Sequence, residues 1–491
     1  MLFLGFWGVR LVFLRLGDEA LGILYFVVAL YSVLTPILDL GVSSTMVREV
    51  ASHLQTDPPY VIRLIRTSTL FYWCSYALLA LVVYLVAPWL VSRWITLRTL
   101  NPGVAVSALR LLALSLLLAL PRSFYSNLLR GIERMEFNNG IDVGIVALQQ
   151  GGIVLIVMLG GGLIEISYCY LATLALSIVI YMVVASRFFS WRALTPGFFG
   201  DVVRENLSFT SNVGAYSMLS MVQLEADKIL VSKLLPVGLL GFYGVAQTTV
   251  ARVSRIPVAV TQAAFPSFSA LFHNGDHAGL LREYRRLQDL VSYGLIPVFA
   301  GVMFASQPLF AYLLGAPAAR ILLLPTALLC LAWFMNGTLN MPSVVSLAVG
   351  RADIGARQNL YALFLVLPVT VALVWKWGLV GAGLSFLFYN VYAYCYGARR
   401  VASECLGLPP RECYFHVLKI LALASATYGL MWCILEVMAQ NSIGVLALAY
   451  LLASFAYAQV AYLSIGDELR EGLVAWRGKV SSGVLRFISE N

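Results

Sequence analysis

Residues 135–186 read MEFNNGIDVGIVALQQGGIVLIVMLGGGLIEISYCYLATLALSIVIYMVVAS, a run of 52 residues with no Lys or Arg. One helix needs roughly 20 apolar residues to cross a bilayer. This run is long enough for two, and Gly160-Gly161-Gly162 interrupts it midway. It therefore reads as a hairpin of membrane spans, 139–160 and 163–186. A second stretch free of Lys and Arg, 420–469, reads the same way with its turn near Asn441. Both are continuous apolar runs and not the ten-residue alternations of barrel strands, so helices are expected.

The same pattern fills the chain. Of 491 residues, 60% are apolar and 12% are charged, against roughly 25% charged in an ordinary soluble domain. Further spans are expected at 2–16, 20–45, 67–92, 104–128, 207–232, 239–271, 287–312, 320–348, 358–375, 378–398, 416–438 and 443–465. The expected fold class is thus an all-α polytopic membrane protein with about 14 transmembrane helices. No polar stretch is long enough for a folded extramembrane domain, which excludes a soluble enzyme and a one-span receptor. The seven cysteines are scattered without a C-x-x-C pair, so a disulfide scaffold is excluded as well. The first segment is short and carries Arg10 and Arg15. It lacks the basic leader and small-residue cleavage site of a signal peptide, and is expected to be a curtailed helix.

Lys and Arg orient the spans. With a cytoplasmic N-terminus, 21 of them fall in the cytoplasmic loops and tail, against Arg93, Arg98, Lys233 and Lys376 on the other side. That asymmetry places both termini in the cytoplasm and the protein in the cell membrane. The net charge of +9 then faces anionic lipid headgroups, and no nucleic-acid partner is needed. In the tail, 466–491, Leu469, Leu473, Trp476, Val480, Val484 and Phe487 recur at helical spacing. An amphipathic helix on the inner leaflet is expected there.

An offset of 219 residues aligns Gly22 with Gly241, Gly131 with Gly350 and Gly162 with Gly381, each at an equivalent place relative to its spans. A duplication is expected: an N-lobe at 1–190 with spans 1–6, a C-lobe at 207–398 with spans 7–12, and two extra spans at 413–465. Two six-helix lobes in parallel repeat suit rocking, alternating access with a site between them.

The chemistry on offer is sparse. His273 and His277 bracket Asp276 in a polar loop, too little for a metal site. The stretch Gly472–Lys479 has the wrong glycine spacing for a phosphate loop, and Val480 stands where Ser or Thr is required. No cofactor and no catalytic residue is expected. What remains is charge inside the bilayer, which costs several kcal/mol unless paired or hydrated. Arg252 and Arg255 lie three apart near the middle of span 8. Either they line a water-filled cavity and hold an anion such as phosphate, or they tie helices together through carboxylates. Lys228 on span 7 is a further substrate-binding candidate, and Glu225, three residues before it, can pair with it. Asp39, Asp142, Glu225 and Asp227 are candidates for ion coupling or for counter-ions of the arginines. Pro257, two residues beyond Arg255, is the proline expected to serve gating.

Several motifs together resemble a known family. They are Asp227-Lys228, Val237-Gly238 through Gly241-Phe242-Tyr243, and Phe265-Pro266; Leu38-Asp39 with Gly41 and Met46 to Arg48; Arg130-Gly131 to Arg134; Gly350-Arg351; and Gly378 to Gly381. The pattern resembles the Wzx-type polysaccharide flippases, exporters of O-antigen and teichoic acid, within the multidrug/oligosaccharidyl-lipid/polysaccharide superfamily. The resemblance implies a two-lobed transporter with a central cationic cavity, and not an enzyme. It implies as substrate a polyprenyl-(di)phosphate-linked oligosaccharide whose tail stays among membrane lipids, with glycan-assembly enzymes as partners. A drug/cation antiporter of the same superfamily is the alternative, followed by a membrane-embedded polysaccharide polymerase or ligase. An arginine pair disfavours the first, and the short outer loops disfavour the second.

Overall fold

A computed structural model of the chain describes residues 2–39, 42–438 and 442–470, without the side chains of 2–4, 36–38, 44, 207–220 and 222–223. No strand occurs among the described residues. The expected turn near Asn441 and most of the expected tail helix, including Trp476, Val480, Val484 and Phe487, lie outside them.

The helices begin and end where local chemistry directs. α1 (Leu2–Asp39) joins the first two expected segments across a break at Gly17, whose φ of 86° suits a residue without Cβ. α2 (Val42–His53) precedes α3 (Pro58–Trp89), which starts at Asp57, whose carboxylate accepts the Tyr60 N–H at 3.0 Å. A π turn over Leu90–Trp94 ends that span. α4 (Pro102–Leu117), capped by Asn101, is followed after one residue by α5 (Ala119–Gly131). α6 (Met135–Met158) and α7 (Leu163–Ala185) form the expected hairpin, with Gly160 at φ 87° in the turn.

α8 (Gly200–Leu234) leads to α9 (Val237–Ala251), a 3-10 turn over Arg252–Ser254, and α10 (Arg255–His273). α11 (His277–Leu314) is capped by Asp276, which accepts the Gly279 N–H at 2.8 Å. α12 (Ala316–Ala348) is followed by α13 (Ala352–Ala393), broken at Gly378 where two spans were expected to meet. α14 (Arg399–Cys405), α15 (Pro410–Ala424), α16 (Leu430–Val437) and α17 (Ile443–Ser464) complete the order, with π turns before α14 and α16.

Nine helical stretches among the described residues are long and apolar enough to cross a membrane, one of them covering both halves of α13. Apolar side chains face outward along them: Leu85 is 65% exposed, Trp375 79% and Leu463 75%. The chain is a polytopic, all-α, multi-pass membrane protein. Spans 1, 2, 7 and 8 are not among the nine, and α1 and α8 both include residues whose side chains are not described. α8 carries Glu225, Asp227 and Lys228, and α9 is only 15 residues long because the helix breaks at Arg252.

The chain packs as two units. The first comprises residues 1–244 with 312–314 and 374–379, and the second comprises the remainder. In the first, α1 packs along α8, α4 and α6, and α4 lies against α7. In its core Phe124 meets Tyr72 at a tilt and Tyr125 edge-on, with ring centroids 5.6 and 4.9 Å apart. Glu19, just past the bend of α1, pins the loop before α4. Its carboxylate accepts the N–H groups of Arg98 at 2.6 Å, Thr99 at 3.1 Å and Leu100 at 2.7 Å. In the second unit, α10 packs on α12, and the Trp333 and Phe386 rings lie 5.0 Å apart.

Candidate functional site

The two arginines of span 8 occupy a joint in the second unit. α9 stops at Ala251, three residues wind more tightly, and α10 resumes at Arg255. The cause lies two residues on. Pro257 has no N–H to give the Val253 carbonyl, and its ring crowds that carbonyl, which weakens the α-helical ladder at this point. A 3-10 turn has three residues per turn and therefore eclipses positions i and i+3. The Arg252 and Arg255 side chains leave the joint on one side, and both are exposed, while Val253 between them is buried.

Each half of the broken span is fixed to α12. Before the joint, buried Gln247 accepts the Trp333 indole N–H at 3.3 Å. After it, buried Pro257 sits over Gly337, where a Cβ would fall 3.4 Å from the Pro257 ring and 2.6 Å from Leu295. The joint is thus the one part of this span, between these two anchors, whose winding departs from the α-helix.

The remaining candidates lie in the first unit and form three polar groups. On α8, Lys228 Nζ contacts Glu225 Oε2 at 2.5 Å, and the two side chains are 15% and 8% exposed. Asp227 is buried beside them; it accepts the Tyr243 hydroxyl at 2.5 Å and the Lys228 N–H at 2.8 Å. Glu225 thus holds the ammonium of Lys228 while Asp227 holds its backbone N–H, and the sequence brings all three residues together within four positions.

Asp39, at the end of α1, accepts hydrogen bonds from Ser43 at 2.6 Å and from the Tyr72 hydroxyl. Asp142 on α6 is ion-paired with Arg122 on α5 and accepts the Tyr181 hydroxyl at 2.7 Å. Arg122 Nε in turn donates to Ser177 Oγ at 2.7 Å.

Arg122 is the residue that sequence reasoning passed over, because span 4 was expected to end at 128, six residues beyond it. The helix continues to Gly131, which puts Arg122 nine residues inside. Pro121 beside it was the available signal. His273 and His277 flank Asp276, the residue that caps α11. Among the described residues no group of three His, Cys, Asp or Glu side chains could hold an ion.

With this geometry in place, comparison with known proteins gives three findings. The model of a family described as "Polysaccharide biosynthesis protein" matches residues 14–317. The lipopolysaccharide biosynthesis protein WzxC of Escherichia coli (strain K12) is 23% identical over 190 residues. That match spans 38% of this chain and 38% of WzxC. Among solved structures, the lipid II flippase MurJ in its inward closed conformation aligns with 94% of this chain and 97% of its own, with a TM-score of 0.67 at 13% identity. An inward-facing multidrug resistance MATE family transporter of the MOP superfamily aligns with 82% and 94%, with a TM-score of 0.69 at 12% identity. At such identities these two likenesses are of fold.

Proposed function

Because the chain belongs to the polysaccharide biosynthesis protein family, we propose that it is a membrane transporter that flips a polyprenyl-(di)phosphate-linked oligosaccharide by alternating access. The observation that carries this reading is the exposure of Arg252 and Arg255 on one side of a broken span. Guanidinium forks match phosphate oxygens in a bidentate way. At an effective dielectric near 20, a contact at 4 Å contributes about 4 kcal/mol before desolvation, enough to select the head group without trapping it. The glycan follows the phosphate, and the polyprenyl tail remains in lipid.

In this reading the two six-span lobes, 1–190 and 207–398, rock about the site, and both termini face the cytoplasm, beside the enzymes that assemble the glycan. Lys228, held by Glu225, supplies a second and weaker cationic contact. Asp39, Asp142, Glu225 and Asp227 serve as coupling groups or counter-ions, with Arg122 the counter-ion of Asp142. Pro257 serves gating. Three residues rise about 6 Å in a 3-10 turn and about 4.5 Å in an α-helix, so rewinding the joint changes both the spacing and the alignment of the guanidinium groups. A drug/cation antiporter shares the fold, but a pair of exposed arginines repels a cationic substrate.

Export by the double variant Arg252→Ala/Arg255→Ala tests the proposal. Loss of glycan export by a protein that inserts and folds normally is expected, and wild-type export would remove the pair from the mechanism. Arg→Lys at both positions separates charge from geometry. Partial export means that charge suffices, and none means that the bidentate fork is needed.

A further inference from the structure

The first unit carries an open cleft where α3 ends and α4 begins. Its volume is about 790 Å3, within the range of small-ligand pockets. Pro88, Ser92 and Thr96 line it on one side, and Val106, Ser107 and Arg110 of α4 line it on the other. Among the described residues no carboxylate lines it.

Arg110 is a cation inside a span. It lies eight residues beyond Pro102, the first residue of α4, which is about 12 Å along the axis. Its guanidinium is held at the level of Tyr84, five residues before α3 ends at Trp89. Nε donates to the Tyr84 carbonyl at 3.0 Å, and Cζ stands 4.0 Å from the centre of the Tyr84 ring. That carbonyl is free because its helical donor would be residue 88, and Pro88 has no N–H. Arg110 satisfies it with Nε alone, as a neutral amide could. The two terminal amino groups have no partner among the described residues, and no carboxylate there pairs with the charge. A cation at such depth requires water or an anion.

The surroundings point to the anion's source. Trp89 is 53% exposed, its ring lies 6.4 Å from that of Trp94, and Lys233 Nζ stands 5.2 Å from the Trp94 ring. Tryptophans placed in this way mark the level of lipid headgroups. Leu81 and Leu85, on the same stretch of α3 as Tyr84, are exposed and offer apolar surface to an acyl chain. Ser92, Thr96 and Ser107 are exposed in the cleft and offer hydroxyls to a polar headgroup. A guanidinium fork with both amino groups free matches a phosphodiester. An ammonium headgroup would find no counter-ion on these walls, whereas a glycerol headgroup would find hydroxyls.

We propose that this cleft binds an anionic phospholipid of the phosphatidylglycerol kind, with its phosphodiester on Arg110. The assignment does not depend on the transport reading, and either can fail without the other. Native mass spectrometry and thermal unfolding of the full chain in detergent, titrated with phosphatidylglycerol, phosphatidylethanolamine or glycerol 3-phosphate, test it. Saturable binding of phosphatidylglycerol that raises the unfolding midpoint is expected, with phosphatidylethanolamine bound about tenfold more weakly. Arg110→Gln keeps a donor for the Tyr84 carbonyl and removes the charge. It should unfold at the wild-type midpoint without lipid, and bind phosphatidylglycerol about tenfold more weakly, as loss of a charge-assisted contact does. Ser107→Glu, at an exposed position one turn before Arg110, supplies a carboxylate in place of the lipid phosphate. It should weaken binding in the same direction, and serves where the first variant folds poorly. Equal binding of phosphatidylethanolamine, an equal response to glycerol 3-phosphate, or unchanged affinity for phosphatidylglycerol in both variants would overturn the assignment.

Discussion

Gly22 and Gly241 meet backbone to backbone. A Cβ on Gly241 would stand 2.8 Å from the Gly22 nitrogen, and one on Gly22 would stand 2.0 Å from the Val237 carbonyl oxygen. The same two residues are paired by the 219-residue offset. One glycine signature, present twice, thus lets α1 and α9 cross at a distance that no side chain permits. Bare surfaces of this kind are the usual means of close helix approach in membranes, where lipid tails remove the hydrophobic drive.

Gly241→Val should therefore destabilise the protein by about 1–3 kcal/mol, the usual cost of overpacking. Thermal unfolding in detergent checks this, with Gly151→Ala as the control because a Cβ there has open space. Equal midpoints for the two variants would contradict the crossing.

The Arg122–Asp142 pair makes a second prediction. Asp142→Leu leaves the guanidinium without its counter-ion and should cost about 2 kcal/mol, less than a fully buried pair because the Asp142 side chain is 41% exposed. Adding Arg122→Met should recover part of that loss. A double-mutant cycle on unfolding midpoints measures the coupling, and strictly additive effects would argue against it.

Acid should loosen the loop before α4. Burial raises the Glu19 pKa, but the N–H groups of Leu100, Thr99 and Arg98 outweigh it and hold the carboxyl below its ordinary range. A depressed pKa stabilises the folded state above the unfolded-state pKa. That contribution fades as pH falls through the folded-state value. The wild-type midpoint should decline on acidification more steeply than that of Glu19→Gln, and parallel curves would count against the cap.

Pro257→Ala restores an N–H that can reach Val253, so the joint should rewind toward a continuous α-helix. Export should slow while the unfolding midpoint holds or rises. A spin-label distance measured across the joint reports the rewinding, and an unchanged distance with unchanged export would separate Pro257 from gating.

Most spans were legible because lipid leaves the backbone no partner but itself, so a crossing usually shows as an apolar run. Gly17, Gly160 and Gly378 mark breaks that the sequence also marks. Side-chain partners were less legible. Glu225 and Lys228 are neighbours on one helix and could be paired by spacing, whereas Arg122 meets Asp142 only because α5 packs on α6. The 3-10 winding at Arg252 was visible only as a nearby proline, since the tighter turn also depends on Gln247 and Pro257 being fixed to α12.

Accessibility of positions 252 and 255 tests the central claim most directly. Each is replaced by cysteine in a chain whose seven native cysteines have been changed to serine or alanine. Both sites are then probed with a membrane-impermeant thiol reagent in right-side-out and inverted vesicles. Labelling from either side, blocked by the lipid-linked glycan, is the predicted result. Labelling from neither side, by a protein that still exports its substrate, would contradict it.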